Sequence, residues 1–151
     1  MGEVRITQDY VFSHGNINFE SQLVDIGNYH CVTKWQQGQL ADADSELIRR
    51  IGNNFHENKS LYNLNFYQVI NDRQIRLRTF ERGSGETLAC GTGAASTAAV
   101  CVTRGLVKSK DVEVFMPGGS LQINVKIISN QILVSATGQA NTVYSGTYRF
   151  K

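Results

Sequence analysis

The sequence predicts an α+β fold in which a strongly curved, mostly antiparallel sheet wraps around one buried helix. Three observations lead there. Short runs rich in β-branched and aromatic residues recur along the chain, separated by turn-forming residues. One stretch, Thr92 to Arg104, carries Ala94, Ala95, Ala98, Ala99, Val100, Cys101 and Val102, and is apolar over most of its circumference. Such a helix has no polar face to leave in water and belongs inside. Finally, 151 residues with 41% hydrophobic and 19% charged side chains are too apolar for a disordered chain and long enough for one core. Residues 1–151 are therefore read as a single domain, without linker, repeat or low-complexity tract.

Taken in order, Ile17 to Ile26 is the first strand. Ala43 to Ile51 reads as a helix, with Leu47, Ile48 and Ile51 on one stripe and Asp42 or Asp44 available as its cap. Asn53 to Asn63 is polar and reads as a loop, either an ordinary surface loop or, by its length, a site-forming one. Phe66 to Ile70 and Gln74 to Phe80 are strands joined at Asn71-Asp72 as a hairpin. In the second of these, alternation places Ile75, Leu77 and Thr79 on one face, with Arg76 and Arg78 on the other. After the Thr92–Arg104 helix, stopped by Gly105, come strands at Val112 to Phe115, Leu121 to Ile128, Ile132 to Ala136 and Thr142 to Phe150. The turns between them are Pro117-Gly118-Gly119, Ser129-Asn130 and Thr137-Gly138.

Composition excludes several functions. A formal charge of +2 gives no bulk electrostatic attraction for nucleic acid or membrane. No run approaches the ~18 apolar residues of a membrane span, and the opening residues lack an apolar signal core. A cytoplasmic location is the resulting expectation. Cys31, Cys90 and Cys101 form neither a disulfide framework nor, with His14, His30 and His56, a metal-ligand spacing, so no metal is expected.

The chemistry concentrates in Glu81 to Ala95, ERGSGETLACGTGAA, which leaves a strand and enters the buried helix. It lacks the Lys-Ser/Thr pair of a phosphate loop, and Ser96 replaces the third small position of a dinucleotide fingerprint. What remains is a cysteine at a helix N-terminus among glycines. Backbone N–H groups of Gly91, Thr92 and Gly93 lack intrahelical partners there and, with the helix dipole, favour an anion. That anion is the Cys90 thiolate, a substrate carboxylate, or each in turn. A helix N-terminus can bring a thiol from its usual ~8.5 into the neutral range. Glu81, Arg82 and Glu86 add charges suited to an ammonium and a carboxylate. Cys101 and Cys31 read instead as buried structural thiols.

The run Glu81-Arg82-Gly83-x-Gly85-Glu86-Thr87-x-Ala89-Cys90-Gly91-Thr92-Gly93-Ala94 resembles the second cysteine motif of diaminopimelate epimerases. Gly27-Asn28-Tyr29-His30 resembles the family's Gly-Asn-Pro-His motif, with Tyr29 in place of proline. Asn63 to Val69 resembles the strand that presents a substrate-binding asparagine, and Pro117 to Leu121 and Thr137 to Ala140 resemble later turns. The resemblance implies an isomerase of lysine and cell-wall precursor synthesis that interconverts LL- and meso-diaminopimelate without cofactor, one cysteine working on each face of the α-carbon. It makes Cys90 one of the two acid/base residues. Asn28, Asn63, Glu81, Arg82, Gly91 and Thr92 become substrate-binding residues, and His30 an orienting one.

Family members carry their first cysteine in an amino-terminal half, within a Cys-Gly-Asn-Gly type motif that has no counterpart here. The chain therefore resembles the carboxy-terminal half only. The expected partners are an amino acid substrate and the missing half, arriving on this or another polypeptide, with a homodimer as the family's habit. The chain alone is expected to be inactive. Two rival readings are a non-catalytic binding or assembly module with the same half-fold, and the half of a proline-type racemase.

Overall fold

A computed structural model describes residues 2–150. The strands are β1 (Glu3–His14), β2 (Ile17–Asp25), β3 (Tyr29–Lys34), β4 (Tyr62–Asn71), β5 (Gln74–Glu81), β6 (Gly85–Thr87), β7 (Asp111–Met116), β8 (Gly119–Ile128) and β9 (Gln131–Thr137). The helices are α1 (Ser45–Asn58) and α2 (Gly91–Thr103). Neighbouring strands run β4-β3-β2-β1-β9-β8-β7-β5, and β5 pairs back onto β4, so the sheet closes on itself. The short β6 hangs on the far end of β5. Most pairings are antiparallel, as expected. The two parallel ones, β3 with β4 and β5 with β7, are the two that have a helix in their crossover.

Strand alternation sorts the side chains into two cores. Val24, Val32, Ile75, Leu77, Val112, Val114, Ile123 and Val125 face inward around the alanines of α2. The opposite faces supply Phe19, Leu23, Cys31, Leu64, Phe66 and Phe80, which pack with Ile48, Ile51 and Phe55 of α1. Small residues on α2 let a whole helix fit within the sheet, and Gly93 through Cys101 are all buried. Gly52 does the same for α1, since a Cβ there would sit 2.4 Å from the Phe80 ring.

Both helices stop and start for local reasons. Asp44 caps α1 by accepting from the Glu46 N–H at 3.0 Å. Gly105, at φ +67°, ends α2 in a left-handed turn that few other residues adopt comfortably. Arg104, the C-cap of α2, reaches outward to pair with Asp9 on β1. Ser129 and Asn130 both take positive φ, the signature of the tight hairpin turn between β8 and β9.

Two expectations need correction. Asn53 to Asn63 is not a loop: α1 continues to Asn58, because Phe55 extends the buried stripe of Ile48 and Ile51 by one more turn. Of its polar neighbours, Asn53, Glu57 and Asn58 face water, while His56 is half-buried with Nε2 2.8 Å from the Tyr62 carbonyl. Thr142 to Phe150 forms no strand and lies exposed, with Val143, Tyr144, Tyr148 and Phe150 largely uncovered. β9 pairs with β8 along its whole length and with β1 at Ile132 and Leu133, and the segment that follows it joins neither. Conversely β1 was not anticipated, although Val4, Ile6, Tyr10 and Phe12 alternate with polar residues. A bulge between Ile6 and Gln8 interrupts its register with β2.

Candidate active site

The sheet brings the starts of two strands and the end of a third to one rim. Parallel pairing sets His30 of β3 opposite Asn63 of β4, and antiparallel pairing sets Leu64 opposite Phe80 of β5. Glu81 and Arg82 therefore emerge beside Asn63, whose Oδ1 accepts from the Arg82 N–H at 2.9 Å. The N-terminus of α2 arrives at the same rim.

Cys90 is the N-cap of α2, and its Sγ accepts from the Gly93 N–H at 3.4 Å. Gly91 and Thr92, the first two helical residues, precede the intrahelical ladder and keep their N–H groups available. Thr92 is the hub of the site. Its Oγ1 lies 3.7 Å from Cys90 Sγ, 3.1 Å from His30 Nε2 and 3.3 Å from Asn28 Nδ2. Glu81 accepts from the Thr87 hydroxyl at 2.6 Å and bears electrostatically on the thiol. All of Cys90, Asn28, His30, Asn63, Glu81, Arg82, Gly91 and Thr92 thus gather at one end of α2. Arg82 is exposed, while Asn28, Asn63, Glu81, Gly91 and Thr92 are half-buried.

Two residues that matter here were not singled out in the sequence. Asn65 and Thr79 are buried behind His30, with Thr79 Oγ1 donating to Asn65 Oδ1 at 3.0 Å. Parity was the available signal: Asn65 shares a strand face with Asn63, and Thr79 with Glu81. A further close fit explains one glycine of the motif, since a Cβ on Gly93 would sit 2.4 Å from Asn65 Oδ1. Glu86, by contrast, is not a site charge. Its carboxylate accepts from Arg78 Nε at 2.6 Å, in a largely buried ion pair on the α1 side of the sheet.

The thiol also departs from expectation. Burial pushes Cys90 above its ordinary pKa; the Thr92 hydroxyl and the Gly93 N–H pull it down, and the Glu81 carboxylate pushes it up again. The net direction is upward, so Cys90 rests as a thiol at neutral pH. Cys31, driven up to about 11 by burial, and Cys101, raised further by the same cause, are inert core thiols as expected. Two clefts flank the loop that carries Cys90. One of about 760 Å³ runs past Ala89, Gly118 and Gly138, and one of about 640 Å³ runs past Glu81, Gly83 and His56. Cys90 itself lines neither and is 8% exposed, at the floor of the rim rather than within a closed cavity. Among the described residues no cluster of three or more metal-ligating side chains occurs, and no helix is long and apolar enough to cross a membrane.

His30 is fully buried, and burial lowers its pKa from 6.5 to about 4. The unfolded chain binds its proton below ~6.5 and the folded chain only below about 4, so the native state should lose stability as pH falls through that window. The loss is about 3 kcal/mol. His56, also lowered by burial, adds in the same direction. Urea unfolding at pH 7 and pH 4.5 should show the drop, and His30→Gln should remove most of it.

The chain shares its fold with solved structures of a racemase and an epimerase. A probable proline racemase from Agrobacterium radiobacter K84 superposes with a TM-score of 0.62 at 13% identity, over 89% of this chain and 47% of that one. A hydroxyproline epimerase from Agrobacterium vitis does so with a TM-score of 0.64 at 14% identity, over 87% and 46%. These likenesses concern the fold. The sequence goes further: residues 22–143 match the diaminopimelate epimerase family model, and the chain belongs to that family. It is 42% identical over 134 residues to the diaminopimelate epimerase of Desulfovibrio desulfuricans, and 38% identical over 128 residues to that of Xanthomonas axonopodis pv. citri. The alignments take in 86% and 83% of this chain but 44% and 42% of those relatives, so the chain spans less than half the length of the curated relatives it matches.

Proposed function

We propose that this chain supplies one face of a cofactor-independent diaminopimelate epimerase site, with Cys90 as one of two acid/base groups. In this reading the Cys90 S–H gives its proton to the α-carbon while a second group, a thiolate on the opposite face, takes the original α-proton. The configuration inverts and the two sulfurs exchange protonation states. A thiol held above its ordinary pKa suits the proton-delivering member of such a pair. The carboxylate that carries the developing charge sits against the Gly91 and Thr92 N–H groups and the positive end of α2. Asn28, Asn63, Glu81 and Arg82 hold the ammonium and the distal ends of the substrate, and buried, neutral His30 orients Thr92. The proposed setting is cytoplasmic lysine and cell-wall precursor synthesis.

The observation that carries this reading is the meeting of Cys90, the free first-turn amides of α2 and the Asn28–His30–Thr92 cluster at one rim, in a chain 38–42% identical to named diaminopimelate epimerases. Among the described residues Cys31 and Cys101 are buried in the two cores, so the opposing acid/base group is assigned to residues outside this chain.

Deuterium incorporation at the α-carbon of LL-diaminopimelate in D2O tests the proposal. The 151-residue chain alone should incorporate none. The same chain joined to the amino-terminal half of the Desulfovibrio desulfuricans relative should incorporate deuterium and form the meso isomer. Incorporation by the isolated chain, abolished by Cys90→Ser, would move the second acid to a neighbouring copy. Failure of the joined, folded protein would overturn the reading.

A further inference from the structure

The Asn63 carbonyl fixes a directional hydrogen-bond chain that ends on the Cys90 sulfur. This carbonyl can only accept, and the Asn65 side-chain atom facing it at 3.3 Å must therefore be the amide nitrogen. Asn65 Oδ1 is then left to accept from the Thr79 hydroxyl, at 3.0 Å. The second hydrogen of Asn65 Nδ2 points at His30 Nδ1, 2.9 Å away, and that ring nitrogen must present a lone pair. A neutral imidazole with a bare Nδ1 carries its hydrogen on Nε2. Nε2 accordingly donates to Thr92 Oγ1, which also accepts from Asn28 Nδ2. With both lone pairs engaged, the Thr92 hydroxyl has only its own hydrogen to give, and the sulfur of Cys90 lies within reach at 3.7 Å.

We infer that Asn65, held by Thr79 and the Asn63 carbonyl, is a positioning residue that locks the His30 tautomer and so aims the Thr92 hydroxyl at Cys90. No proton travels along the chain. Its polarity is fixed, and it stabilises the thiolate whenever Cys90 has given up its proton. The burial of Asn65, Thr79 and His30 at 0%, 2% and 0% exposure keeps water from scrambling that polarity. The neutrality of His30 down to about pH 4 keeps it constant across the working range. The charged group bearing on the sulfur is Glu81 on β5, which acts against the thiolate; the donors from α2 are the Thr92 hydroxyl and the Gly93 N–H. The inference deepens the proposed acid/base role of Cys90 and rests on it for its catalytic meaning.

Two measurements on the 151-residue protein test the chain itself. Nitrogen-15 NMR of the imidazole rings, with His30→Gln to assign the signals, should show Nδ1 of His30 bare and Nε2 protonated from pH 8 to pH 5. The pH profile of Cys90 alkylation by iodoacetamide, located by peptide mass spectrometry, should move upward by about one unit in Asn65→Leu and again in Thr92→Val. That corresponds to roughly ten-fold slower labelling at neutral pH, with an unchanged limiting rate in alkali. A protonated Nδ1, or alkylation profiles that stay in place in the folded variants, would overturn the inference. Should Asn65→Leu not fold, the native NMR spectrum and Thr92→Val still decide. Deuterium exchange by the joined two-half protein separates this inference from the reading beneath it. If the profiles shift but Cys90→Ser leaves exchange intact, the hydrogen-bond chain stands and the epimerase role of Cys90 falls.

Discussion

Cys90→Ser, in the chain joined to an amino-terminal half, is expected to lower α-proton exchange by roughly 10³-fold or more while leaving the fold as stable as before. Removing a positioned general acid or base costs about 10²–10⁴-fold, and the upper part of that range applies because a hydroxyl is a far weaker acid than a thiol. The substitution is informative because it spares the structure. Serine is among the preferred N-cap residues, and its Oγ can accept from the Gly93 N–H as the sulfur now does. The sulfur is nearly buried and fills no large volume, so the packing loss is small. Turnover is compared with urea midpoints: lost exchange with an unmoved midpoint assigns the effect to chemistry. Exchange within tenfold of the parent would mean that another group handles the proton.

The second large effect is structural. Arg78→Met is expected to destabilise the chain by about 3–5 kcal/mol, because it removes one partner of an ion pair largely shielded from water. The Arg78 side chain is 9% exposed and Glu86 19%. Its guanidinium donates to Glu86, to the Ser45 hydroxyl at 2.7 Å and to the Ala43 carbonyl, fastening β5 and β6 to the start of α1. With Met at 78, the Glu86 carboxylate and the Ala43 carbonyl lose their donors together. Adding Glu86→Leu should recover a substantial part of the loss, since two apolar groups leave no charge stranded. Urea denaturation of the two single variants and the double variant measures this. A loss below about 1 kcal/mol for Arg78→Met would place the pair in the class of exposed ion pairs. Because Glu81 and Arg82 lie at the turn between β5 and β6, the same variant should also loosen that wall of the site.

The parts of the site visible in the sequence were those written in contiguous residues. The cysteine among glycines at a helix start, the alternation in β5 and the all-round apolar α2 are read from neighbours a few positions away, and each held. Asn65 and Thr79 escaped notice because their role comes from contacts that are distant in sequence. Asn65 meets His30 across 35 residues, and His30 meets Thr92 across 62. Glu86 was misplaced for a related reason: its charge stood near the motif, but its partner Arg78 turned it toward α1. The Cys90 thiol was expected to be lowered by the helix end. Burial and Glu81, both properties of the assembled rim, shift it upward instead.

By itself, then, the sequence determined the α+β character, the buried helix, the turns at Asn71-Asp72, Pro117-Gly118 and Ser129-Asn130 and the family, because local periodicity and a contiguous motif depend only on nearby residues. Only the tertiary structure decided that the sheet closes through β4–β5 and β1–β9, that Thr142 to Phe150 is left without a strand partner, and which way the hydrogens run between Asn65 and Cys90. Closure, burial and hydrogen-bond direction are set by groups brought together from far apart in the chain. No local pattern encodes which donor will face which acceptor until the fold has excluded water from between them.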